Sequence, residues 1–367
     1  MRIVFTGGGT VGHVSPAIAI AEEVLKKDPK SEILFIGREG GEENELIKKK
    51  GFKLKTVRSY GLNRSISVSN IKNLSQTIRS IKDAEVLLNS FSPDIVFGTG
   101  GYVSYPVIMA ASRSGIKTAL HESNATVGLA TKMLLRRCDL FLIGIDGIDK
   151  KILRRPKRYI ISGNPIREEF FKTTKQEARR KLGIKDDEIL ITSFGGSGGA
   201  KKLNDVILEL MKNHSAQTKE IKHVHACGKR YYNDIKEKYP SLVKGYAGCI
   251  VKPYLDDMAT FLHASDIAIT RCGAMTIAEL AASGTPSILI PSPNVTNDHQ
   301  RKNAKCLADS GAAIIIEENL LTQRTLADAV RKLETDAEKR AELSKKIKKF
   351  ACKEAKQKIV SEITKII

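Results

Sequence analysis

Short apolar segments alternate with longer amphipathic segments along most of this chain. The first apolar segment, RIVFT, precedes SPAIAIAEEVLKK, whose apolar side chains recur at helical spacing. The same order returns at EILFIG, KLKTV, DIVFGTG, KTALHES and LFLIG, with helical patterns between them. Runs rich in Val, Ile and Leu between helices are typical of parallel strands buried on both faces. The pattern therefore predicts an α/β fold with a parallel sheet between two layers of helices.

The alternation stops at RYIISGNPIREEFF and then starts again. Gly163, Asn164 and Pro165 end a predicted strand there, and ILITSF opens a second series of strands and helices. Each half begins with a strand, a glycine-rich loop and a helix. We therefore predict two doubly wound, Rossmann-like domains facing each other across a cleft, with ligands at the carboxyl ends of the strands.

The segment after Ala329 is rich in lysine and helical in pattern, and we expect at least two helices in it. Leu333, Ala337, Ala341 and Leu343 are predicted to share one apolar face, with the lysines on a solvated face. The predicted domains are residues 1–162 and 163–345, and residues 346–367 are predicted to form a helix that packs back towards the N-terminal domain.

The composition gives the chain a strong positive net charge. The 367 residues include 61 Lys and Arg against 41 Asp and Glu, a net charge of +20. The excess favours an anionic partner such as a nucleic acid, an acidic membrane surface or a phosphorylated substrate, or it belongs to an ordinary solvated surface. Aromatic residues make up only 5% and Trp is absent, which argues against a surface that stacks nucleic-acid bases.

The cysteines and the N-terminus indicate a reduced environment and no leader. The six cysteines are scattered singly, as is typical of cytosolic thiols. His223, His225 and Cys227 alternate along a predicted strand, and we interpret them as structural because no metal motif has this spacing. The chain opens with a strand instead of a signal peptide. Since no apolar run reaches the ~18–20 residues that span a bilayer, any membrane contact is predicted to be peripheral.

Glycine-rich loops are the strongest candidate chemistry. Gly7, Gly8, Gly9 and Gly12 follow the first strand and precede a helix, whose free N–H groups and positive dipole end point back at the loop. This arrangement favours an anion, although it matches neither a Walker loop nor the dinucleotide fingerprint. A tight turn without a ligand remains the alternative.

Three further loops follow later strands. The second contains Gly98, Gly100, Gly101 and Tyr102, and the third runs from Gly195 to Gly199 around Ser197. Ser197 is predicted to cap the next helix and to donate to a phosphate oxygen. The fourth loop contains Arg271, Gly273, Thr276 and Glu279. Glu279 is positioned to accept both hydroxyls of a ribose, or is a helix-start charge favoured by the dipole. Together the four loops fit a nucleotide diphosphate.

Seven segments resemble the MurG family of bacterial glycosyltransferases. In order they are GGGTVGHVSPAIAIA, GTGGYVSYPVIMAA, HESNATVGLATKML, SGNPIR, GGSGGAKKLN, DDMATFLHASDIAITRCGAMTIAELAASGTPSILIP and DHQRKNA. The resemblance implies a GT-B type, inverting hexosyltransferase that uses neither a metal nor a cofactor. It implies transfer of N-acetylglucosamine from UDP-N-acetylglucosamine to the 4-hydroxyl of the muramyl sugar of undecaprenyl-diphosphate-linked muramyl-pentapeptide, the step from lipid I to lipid II in peptidoglycan synthesis.

The resemblance also implies roles for single residues on the donor side. Glu279 matches the acid that holds the uridine ribose, and Arg167 matches a basic residue near the donor phosphates. Asn124 matches a residue close to the sugar, and Gln300 matches a glutamine that reads the sugar hydroxyls. The predicted donor-binding residues are Thr10, Gly12, Asn124, Arg167, Gly196, Ser197, Gly198, Arg271, Gly273, Thr276, Glu279 and Gln300.

The first two loops match the acceptor side of the family, where the lipid diphosphate is expected. The predicted acceptor residues are Gly8, Gly9, Gly100, Gly101 and Tyr102. The chain departs from the family pattern at a few positions, and those near the donor sugar weaken the prediction of its polar contacts. These positions are Val11 in place of a common Gly, Ser123 and Gly198 in place of Gln, and His299 in place of a frequent Gln before Gln300.

Two residues are candidates for the base that activates the acceptor hydroxyl. His13 lies in the first glycine loop, and an imidazole has an ordinary pKa of about 6.5, which suits a general base. Phosphate binding or bracing of the loop is the alternative role for His13. Glu122 is the second candidate, whereas His121 and His299 are interpreted as structural or binding groups.

A lipid acceptor requires contact with the anionic inner membrane surface, so we predict a peripheral enzyme on the cytoplasmic side of the cell membrane. The apolar residues proposed for this contact are Leu62, Ile66, Val68, Ile71, Leu74, Ile78 and Ile81. Basic residues surround them, namely Arg58, Arg64, Lys72, Arg79 and Lys82. The pattern suits an anionic lipid surface, although a helix packed on its own core is the more common explanation for such a stripe.

Three other functions remain as alternatives. They are a UDP-sugar diacylglycerol glycosyltransferase, a UDP-sugar epimerase on the same scaffold, and a basic RNA-binding protein, which would bind RNA with a steep salt dependence. The HESN and DHQRKNA segments favour the peptidoglycan enzyme. The predicted partners are thus UDP-N-acetylglucosamine and the lipid-linked acceptor, without nucleic acid, and cell-wall synthesis proteins are further candidates.

Overall fold

The structure, a computed structural model, describes residues 1–9, 11–41, 44–59, 68–217 and 220–367, and the side chains of these except 11, 68–75 and 214–217. It divides into two compact units. The first comprises Met1–Ile166 and Cys352–Ile367, and the second comprises Arg167–Ala351. The sequence predicted domain boundaries after residues 162 and 345, a few residues before the points where the two units divide.

The first unit contains a seven-stranded parallel sheet. Its strands are β1 Arg2–Thr6, β2 Glu32–Arg38, β3 Lys53–Val57, β4 Ile95–Gly98, β5 Lys117–Glu122, β6 Leu140–Ile143 and β7 Tyr159–Ile161. They lie in the order β3-β2-β1-β4-β5-β6-β7. The helices are α1 Val11–Lys27, α2 Asn44–Lys49, α3 Val68–Phe91, α4 Ser104–Arg113, α5 Leu129–Leu134 and α6 Lys150–Leu153, with a 3-10 turn at Leu135–Arg137.

The burial of both faces of β1 explains why its apolar run is continuous. Ile3 and Phe5 point into a core formed with α1, and Val4 points into a second core formed with α3 and α4. All three side chains are fully buried. Because successive side chains of a strand point to opposite faces, a sheet covered on both sides requires apolar residues at every position.

The second unit contains a six-stranded parallel sheet. Its strands are β8 Ile189–Phe194, β9 Ile221–Ala226, β10 Cys249–Lys252, β11 Ile267–Thr270, β12 Ser287–Leu289 and β13 Ile314–Ile315, in the order β10-β9-β8-β11-β12-β13. The helices are α7 Glu169–Lys172, α8 Lys175–Leu182, α9 Lys201–Gln217, α10 Lys229–Lys238, α11 Pro240–Lys244, α12 Met258–Ala264, α13 Ala274–Ser283, α14 His299–Ala308, α15 Gln323–Thr335 and α16 Ala337–Ile347. Short 3-10 turns lie at Thr296–Asp298 and Lys348–Phe350.

The C-terminal segment differs in one respect from the expected single apolar face. The Asp336 side chain accepts a hydrogen bond from the Lys339 N–H at 2.8 Å and so begins a new helix, α16. Leu333 and Leu343 are buried on two separate helices, whereas Ala337 and Ala341 are exposed. The prediction of one continuous face was therefore wrong, although the expectation of at least two helices is confirmed.

A last helix, α17 Ala355–Thr364, belongs to the first unit. Its residues Ile359, Val360 and Ile363 are fully buried in the core that also contains Ile20 of α1. Glu362 pairs with Arg158 at 2.5 Å. Among the residues that the structure describes, no helix is long and apolar enough to cross a membrane.

Both sheets place their glycine loops at equivalent points. The strand order reverses between β1 and β4 in the first unit and between β8 and β11 in the second. The four predicted loops follow the carboxyl ends of these four strands. Open parallel sheets bind ligands at such reversal points, because the loops there diverge and leave a crevice. The predicted pair of doubly wound, Rossmann-like sheets is thus confirmed.

Candidate functional site

The two glycine loops of the first unit pack tightly against each other. The Gly8 N–H donates to the Gly100 carbonyl at 3.4 Å, and the Thr99 N–H donates to the Thr6 carbonyl at 2.9 Å. A Cβ atom on Gly101 would lie 1.9 Å from the Gly8 oxygen, and Gly101 has a φ of +79°. Glycine is therefore required here by the contact between loops as well as by the backbone conformation.

Tyr102, in the second loop, binds the guanidinium of Arg38 and covers a glycine of the first loop. A Cβ atom on Gly9 would lie 2.9 Å from the Tyr102 ring, so the ring covers this glycine. The Tyr102 hydroxyl accepts a hydrogen bond from Arg38 Nη1 at 2.7 Å. Arg38 ends β2, and sequence reasoning missed it although a basic residue directly after a strand is a readable signal for the carboxyl edge of a sheet.

His13 lies in the first turn of α1, because this helix begins at Val11 and not at the predicted Ser15. Val14 is buried in the core, and Pro16 lies inside the helix, where it deprives the Gly12 carbonyl of its usual N–H partner. Gly12 is exposed and His13 is partly exposed.

The imidazole of His13 lies beside the second loop. A Cβ atom on Gly100 would lie 3.3 Å from His13 Cδ2 and 3.6 Å from Nε2. Thus Gly8, Gly9, Gly100, Gly101, Tyr102 and His13 form one cluster, whereas predicted Thr10 lies outside the described residues.

Glu122, the second candidate base, is buried and braces its own loop. Its Oε1 accepts from the Asn124 side-chain amide at 3.0 Å and from the Asn124 backbone N–H at 3.2 Å. Its Oε2 accepts from the Gly128 N–H at 2.9 Å. Burial raises the pKa of this carboxyl group, and the three hydrogen bonds oppose that rise. The carboxylate holds Asn124 in place.

His121 is buried and neutral. Burial lowers its pKa to about 4, and a hydrogen bond of 3.2 Å between Nε2 and the Gly163 carbonyl opposes this. The imidazole therefore donates from Nε2 and joins the end of β5 to the segment after β7. This contact accords with the structural interpretation of His121.

The third loop, in the second unit, forms an open turn. The Gly199 N–H donates to the Gly196 carbonyl at 3.0 Å, which puts Ser197 and Gly198 at the exposed tip. Within the described part of the chain, no atom lies within 4 Å of a Cβ built on Gly196 or Gly198. Since α9 begins at Lys201, Ser197 precedes the N-cap position, and the prediction that Ser197 caps this helix was wrong.

Arg271, at the end of β11, is bound within the protein. Its Nη1 donates to the carbonyls of Ile290 at 3.2 Å and Pro291 at 3.4 Å, and its Nη2 pairs with the Glu318 carboxylate. The guanidinium thus joins the loops that follow β11, β12 and β13. Sequence reasoning missed Glu318, although two carboxylates directly after the AAIII strand are visible in the sequence.

Gln300 is fixed by its carbonyl oxygen. Oε1 accepts from the backbone N–H groups of Cys272 at 3.2 Å and Ser292 at 2.9 Å. Because both lone pairs of this oxygen are used, the side chain can offer a ligand only its amide N–H groups.

Glu279 lies in α13, which begins after Gly273 and contains Thr276 in its first turn. Burial raises the pKa of Glu279 to about 7, and the positive charge of Arg167 opposes the rise. Its side chain nonetheless keeps partial exposure. Exposed Arg167 places its guanidinium 5.3 Å from the centre of the Phe170 ring.

A cavity of about 540 Å³ opens at the carboxyl edge of this second sheet. It brings together Gly195, Arg271 and Gln300 of the predicted loops and adds Lys202 and Glu318. Of the predicted residues that the structure describes in this unit, those that do not line it are Arg167, Gly196, Ser197, Gly198, Gly273, Thr276 and Glu279.

The two strand histidines of the second unit are structural. Ser193 Oγ lies 2.8 Å from His223 Nε2 and 2.9 Å from His225 Nδ1, and His225 Nε2 lies 3.1 Å from Asn204 Oδ1. Burial lowers the pKa of His225 to about 4. The Cys227 thiol is buried, and burial raises its pKa to about 11. Within the described ranges, no group of three or more His, Cys, Asp and Glu residues is arranged to hold a metal.

The apolar stripe of α3 divides into two sets. Ile81 and Leu88 are buried in the core, whereas Ile78 and Val86 are exposed. Arg79 and Lys82 beside them are exposed. Leu62, Arg64 and Ile66 lie outside the described residues, as do the side chains of Val68, Ile71, Lys72 and Leu74.

Two family profiles match the chain, one in each half. Residues 3–143 match the glycosyltransferase family 28 N-terminal domain, and residues 190–359 match the glycosyltransferase family 28 C-terminal domain. The first match contains both glycine loops of the first unit, and the second contains those of the second unit.

Relatives match over the whole length. A UDP-N-acetylglucosamine--N-acetylmuramyl-(pentapeptide) pyrophosphoryl-undecaprenol N-acetylglucosamine transferase of Thermoanaerobacter sp. (strain X514) is 38% identical over 99% of this chain and 100% of its own. The same-named protein of Acetivibrio thermocellus is 36% identical over 100% of this chain and 98% of its own. The crystal structure of Acinetobacter baumannii MurG superposes with a TM-score of 0.77 at 26% identity and covers 99% of both chains. The chain therefore belongs to the MurG family within glycosyltransferase family 28.

Proposed function

We propose that this protein is an inverting hexosyltransferase that makes lipid II. It moves N-acetylglucosamine from UDP-N-acetylglucosamine to the 4-hydroxyl of the muramyl sugar of undecaprenyl-diphosphate-linked muramyl-pentapeptide. The observation that carries the proposal is a pair of glycine loops at the reversal point of each sheet, in a chain that matches its relatives from end to end. Two such points suit two ligands that each contain a diphosphate.

The second unit is proposed to bind the donor. The open turn at Ser197 and Gly198 allows a diphosphate to approach backbone N–H groups without meeting a side chain. Glu279 accepts the two ribose hydroxyls, and Gln300 donates its amide N–H groups to the sugar. As the bond to UDP breaks, negative charge grows on the diphosphate, and loop N–H groups, Ser197 and Arg167 stabilise it.

The first unit is proposed to bind the lipid-linked acceptor, with its diphosphate at the loops of Gly8 and Gly100. Inversion requires the muramyl hydroxyl to attack the anomeric carbon from the side opposite UDP. We assign the base to His13, because it is partly exposed beside Gly100. Glu122 instead positions Asn124, since its two oxygens already accept three N–H groups.

The acceptor is a membrane lipid, so the protein is proposed to bind the cytoplasmic side of the cell membrane peripherally. Exposed Ile78 with Arg79 and Lys82 on α3 supports contact with an anionic surface. Sedimentation with vesicles should show binding that increases with anionic lipid and decreases with salt. Binding that changes with neither anionic lipid nor salt would reject this surface as the membrane contact.

The transfer itself is tested with radiolabelled UDP-N-acetylglucosamine and two acceptors, lipid-linked muramyl-pentapeptide and diacylglycerol. We expect label in the lipid-linked disaccharide only. Label in diacylglycerol would reassign the substrate, and UDP release without a labelled lipid would reject glycosyl transfer to either.

A further inference from the structure

The Arg271–Glu318 ion pair is the most enclosed pair of charges at the donor cavity. The side chains of Arg271 and Glu318 are 9% and 14% exposed. We propose that Glu318 is a positioning residue which, through Arg271, holds Gln300 in the orientation that recognises the donor sugar. This inference rests on the proposed function of the second unit as the donor site.

Both terminal nitrogens of Arg271 donate hydrogen bonds to other groups of the protein. Nη1 donates to the carbonyls of Ile290 and Pro291, and Nη2 pairs with Glu318. A guanidinium that served as a phosphate clamp would present two parallel N–H groups to its ligand. The contacts of Arg271 instead fasten neighbouring loops together, which makes it a support for the cavity wall.

The same two loops are joined a second time by Gln300. Its Oε1 accepts from Cys272, the residue after Arg271, and from Ser292, the residue after Pro291. The Arg271 side chain therefore fixes the spacing of the two N–H groups that hold the Gln300 amide. A change in that spacing would turn the amide N–H groups away from the sugar while leaving other loops in place.

Glu318 is itself held in place by a residue of α9. Its backbone carbonyl accepts from Lys202 Nζ, and Lys202 belongs to α9, which follows the glycine turn. Loss of its charge would leave the guanidinium enclosed without a counter-ion, and such an orphaned charge forces its surroundings to rearrange. Arg271 would then move towards solvent or the cavity, and its bonds to Ile290 and Pro291 would weaken.

Neighbouring Glu317 provides a matched control. It pairs with Arg301 through Arg301 Nη2 at 2.8 Å, and the Arg301 side chain is 54% exposed. Glu317→Gln and Glu318→Gln thus remove the same charge from adjacent positions of one loop. Arg301 Nε also donates to this carboxylate at 3.1 Å, but solvent screens the exposed pair, so Glu317→Gln should behave like the parent protein.

The test measures dissociation constants for UDP and for UDP-N-acetylglucosamine by calorimetry on the full-length protein. For Glu318→Gln we expect about tenfold weaker binding of UDP-N-acetylglucosamine, the loss of one hydrogen bond between the Gln300 amide and a sugar hydroxyl, and less than twofold weaker binding of UDP. For Glu317→Gln both constants should stay within twofold of the parent values. A merely structural loss of stability would weaken both ligands together.

A double-mutant cycle guards against a variant that folds poorly. If the pair acts as one unit, Arg271→Gln combined with Glu318→Gln should weaken UDP-N-acetylglucosamine binding no more than Arg271→Gln alone. Additive losses, equal losses for UDP, or tighter UDP binding by Glu318→Gln would each overturn the inference. If the parent protein bound neither ligand, the proposed donor site itself would be rejected instead.

Discussion

The two units have the same sheet reversal and the same glycine-rich loops, yet they use glycine differently. In the first unit, Cβ atoms on Gly7 and Gly101 would lie 2.1 Å from Thr99 Oγ1 and 1.9 Å from the Gly8 oxygen. In the second unit, Cβ atoms on Gly195 and Gly199 would likewise lie 2.5 Å from the Ala200 nitrogen and 2.1 Å from the Cys227 oxygen, whereas a Cβ on Gly196 or Gly198 would meet no described atom within 4 Å. The loops of the first unit pack on each other, whereas the third loop is packed at its base and leaves the backbone of its tip open to a ligand.

The comparison separates two reasons for a glycine that look identical in a sequence. A glycine in contact with another backbone is required by packing, and Gly196 is required by its φ of +86°, whereas Gly198 has neither requirement and costs conformational entropy without any packing in return. The open turn is therefore the stronger indication of a ligand, and the packed loops indicate a rigid support for His13 and Tyr102.

The largest effect that would sharpen this contrast concerns His13. His13→Ala should reduce kcat by about 10²–10⁴-fold at saturating lipid acceptor, the usual contribution of a general base. UDP affinity should not change, because UDP is assigned to the second unit. Turnover of radiolabelled donor measures kcat, and His263→Ala, a partly exposed histidine of the second unit whose Nε2 lies 3.0 Å from the Phe170 carbonyl oxygen, is the control. Near-normal turnover by His13→Ala would show that His13 is not the general base.

The next effect concerns the glycines themselves. Gly101→Ala should lower the free energy of unfolding by about 2–4 kcal/mol, because its Cβ would overlap the Gly8 carbonyl and its φ is +79°. Gly198→Ala should change it by less than about 0.5 kcal/mol. Urea denaturation measures both variants. Equal losses would show that the two loops are alike.

Much of the fold could be predicted from the sequence because burial on both faces makes central strands such as β1 and β4 apolar runs, whereas the edge strand β3 is largely exposed. The predicted KLKTV and ILITSF strands coincide with β3 and β8. The break between α15 and α16 was missed, because it depends on one Asp336 cap within an otherwise helical pattern.

The candidate site was less predictable because it depends on contacts between distant residues. Arg271 and Glu318 are 47 positions apart, and no local pattern joins them. Likewise the sequence offers Glu122 as a carboxylate, but only the folded loop supplies the N–H groups of Asn124 and Gly128 that occupy it. Residue types were readable from the sequence, whereas their hydrogen-bond partners were not.

A third prediction uses the pH dependence of the donor unit. The pKa of Glu279 is raised to about 7, so its carboxyl group is mostly protonated at pH 6 and mostly ionised at pH 8. Ribose hydroxyls donate to the ionised form, and UDP affinity should therefore rise about tenfold from pH 6 to pH 8. Calorimetry at several pH values measures it. Glu279→Gln should abolish this dependence, and an unchanged slope would place the ribose elsewhere.

The smallest effect compares a serine from each unit. Ser104 Oγ is buried, donates to the Gly100 carbonyl at 2.7 Å and lies 3.2 Å from the Thr6 carbonyl oxygen, so it holds the packed loops together. Ser197 lies exposed at the tip of the open turn. Ser104→Ala should lower the free energy of unfolding by about 1 kcal/mol, the usual net value of a hydrogen bond, and leave the KM for UDP-N-acetylglucosamine unchanged.

Ser197→Ala should do the opposite. It should raise that KM about three- to tenfold, since one hydrogen bond to the donor phosphate is lost, and leave the urea midpoint unchanged. The two variants together test whether packing and ligand binding are divided between the units. If Ser197→Ala lowered stability or Ser104→Ala raised the donor KM, the packed and open loops would share one role, because each serine would then act on the property assigned to the other unit.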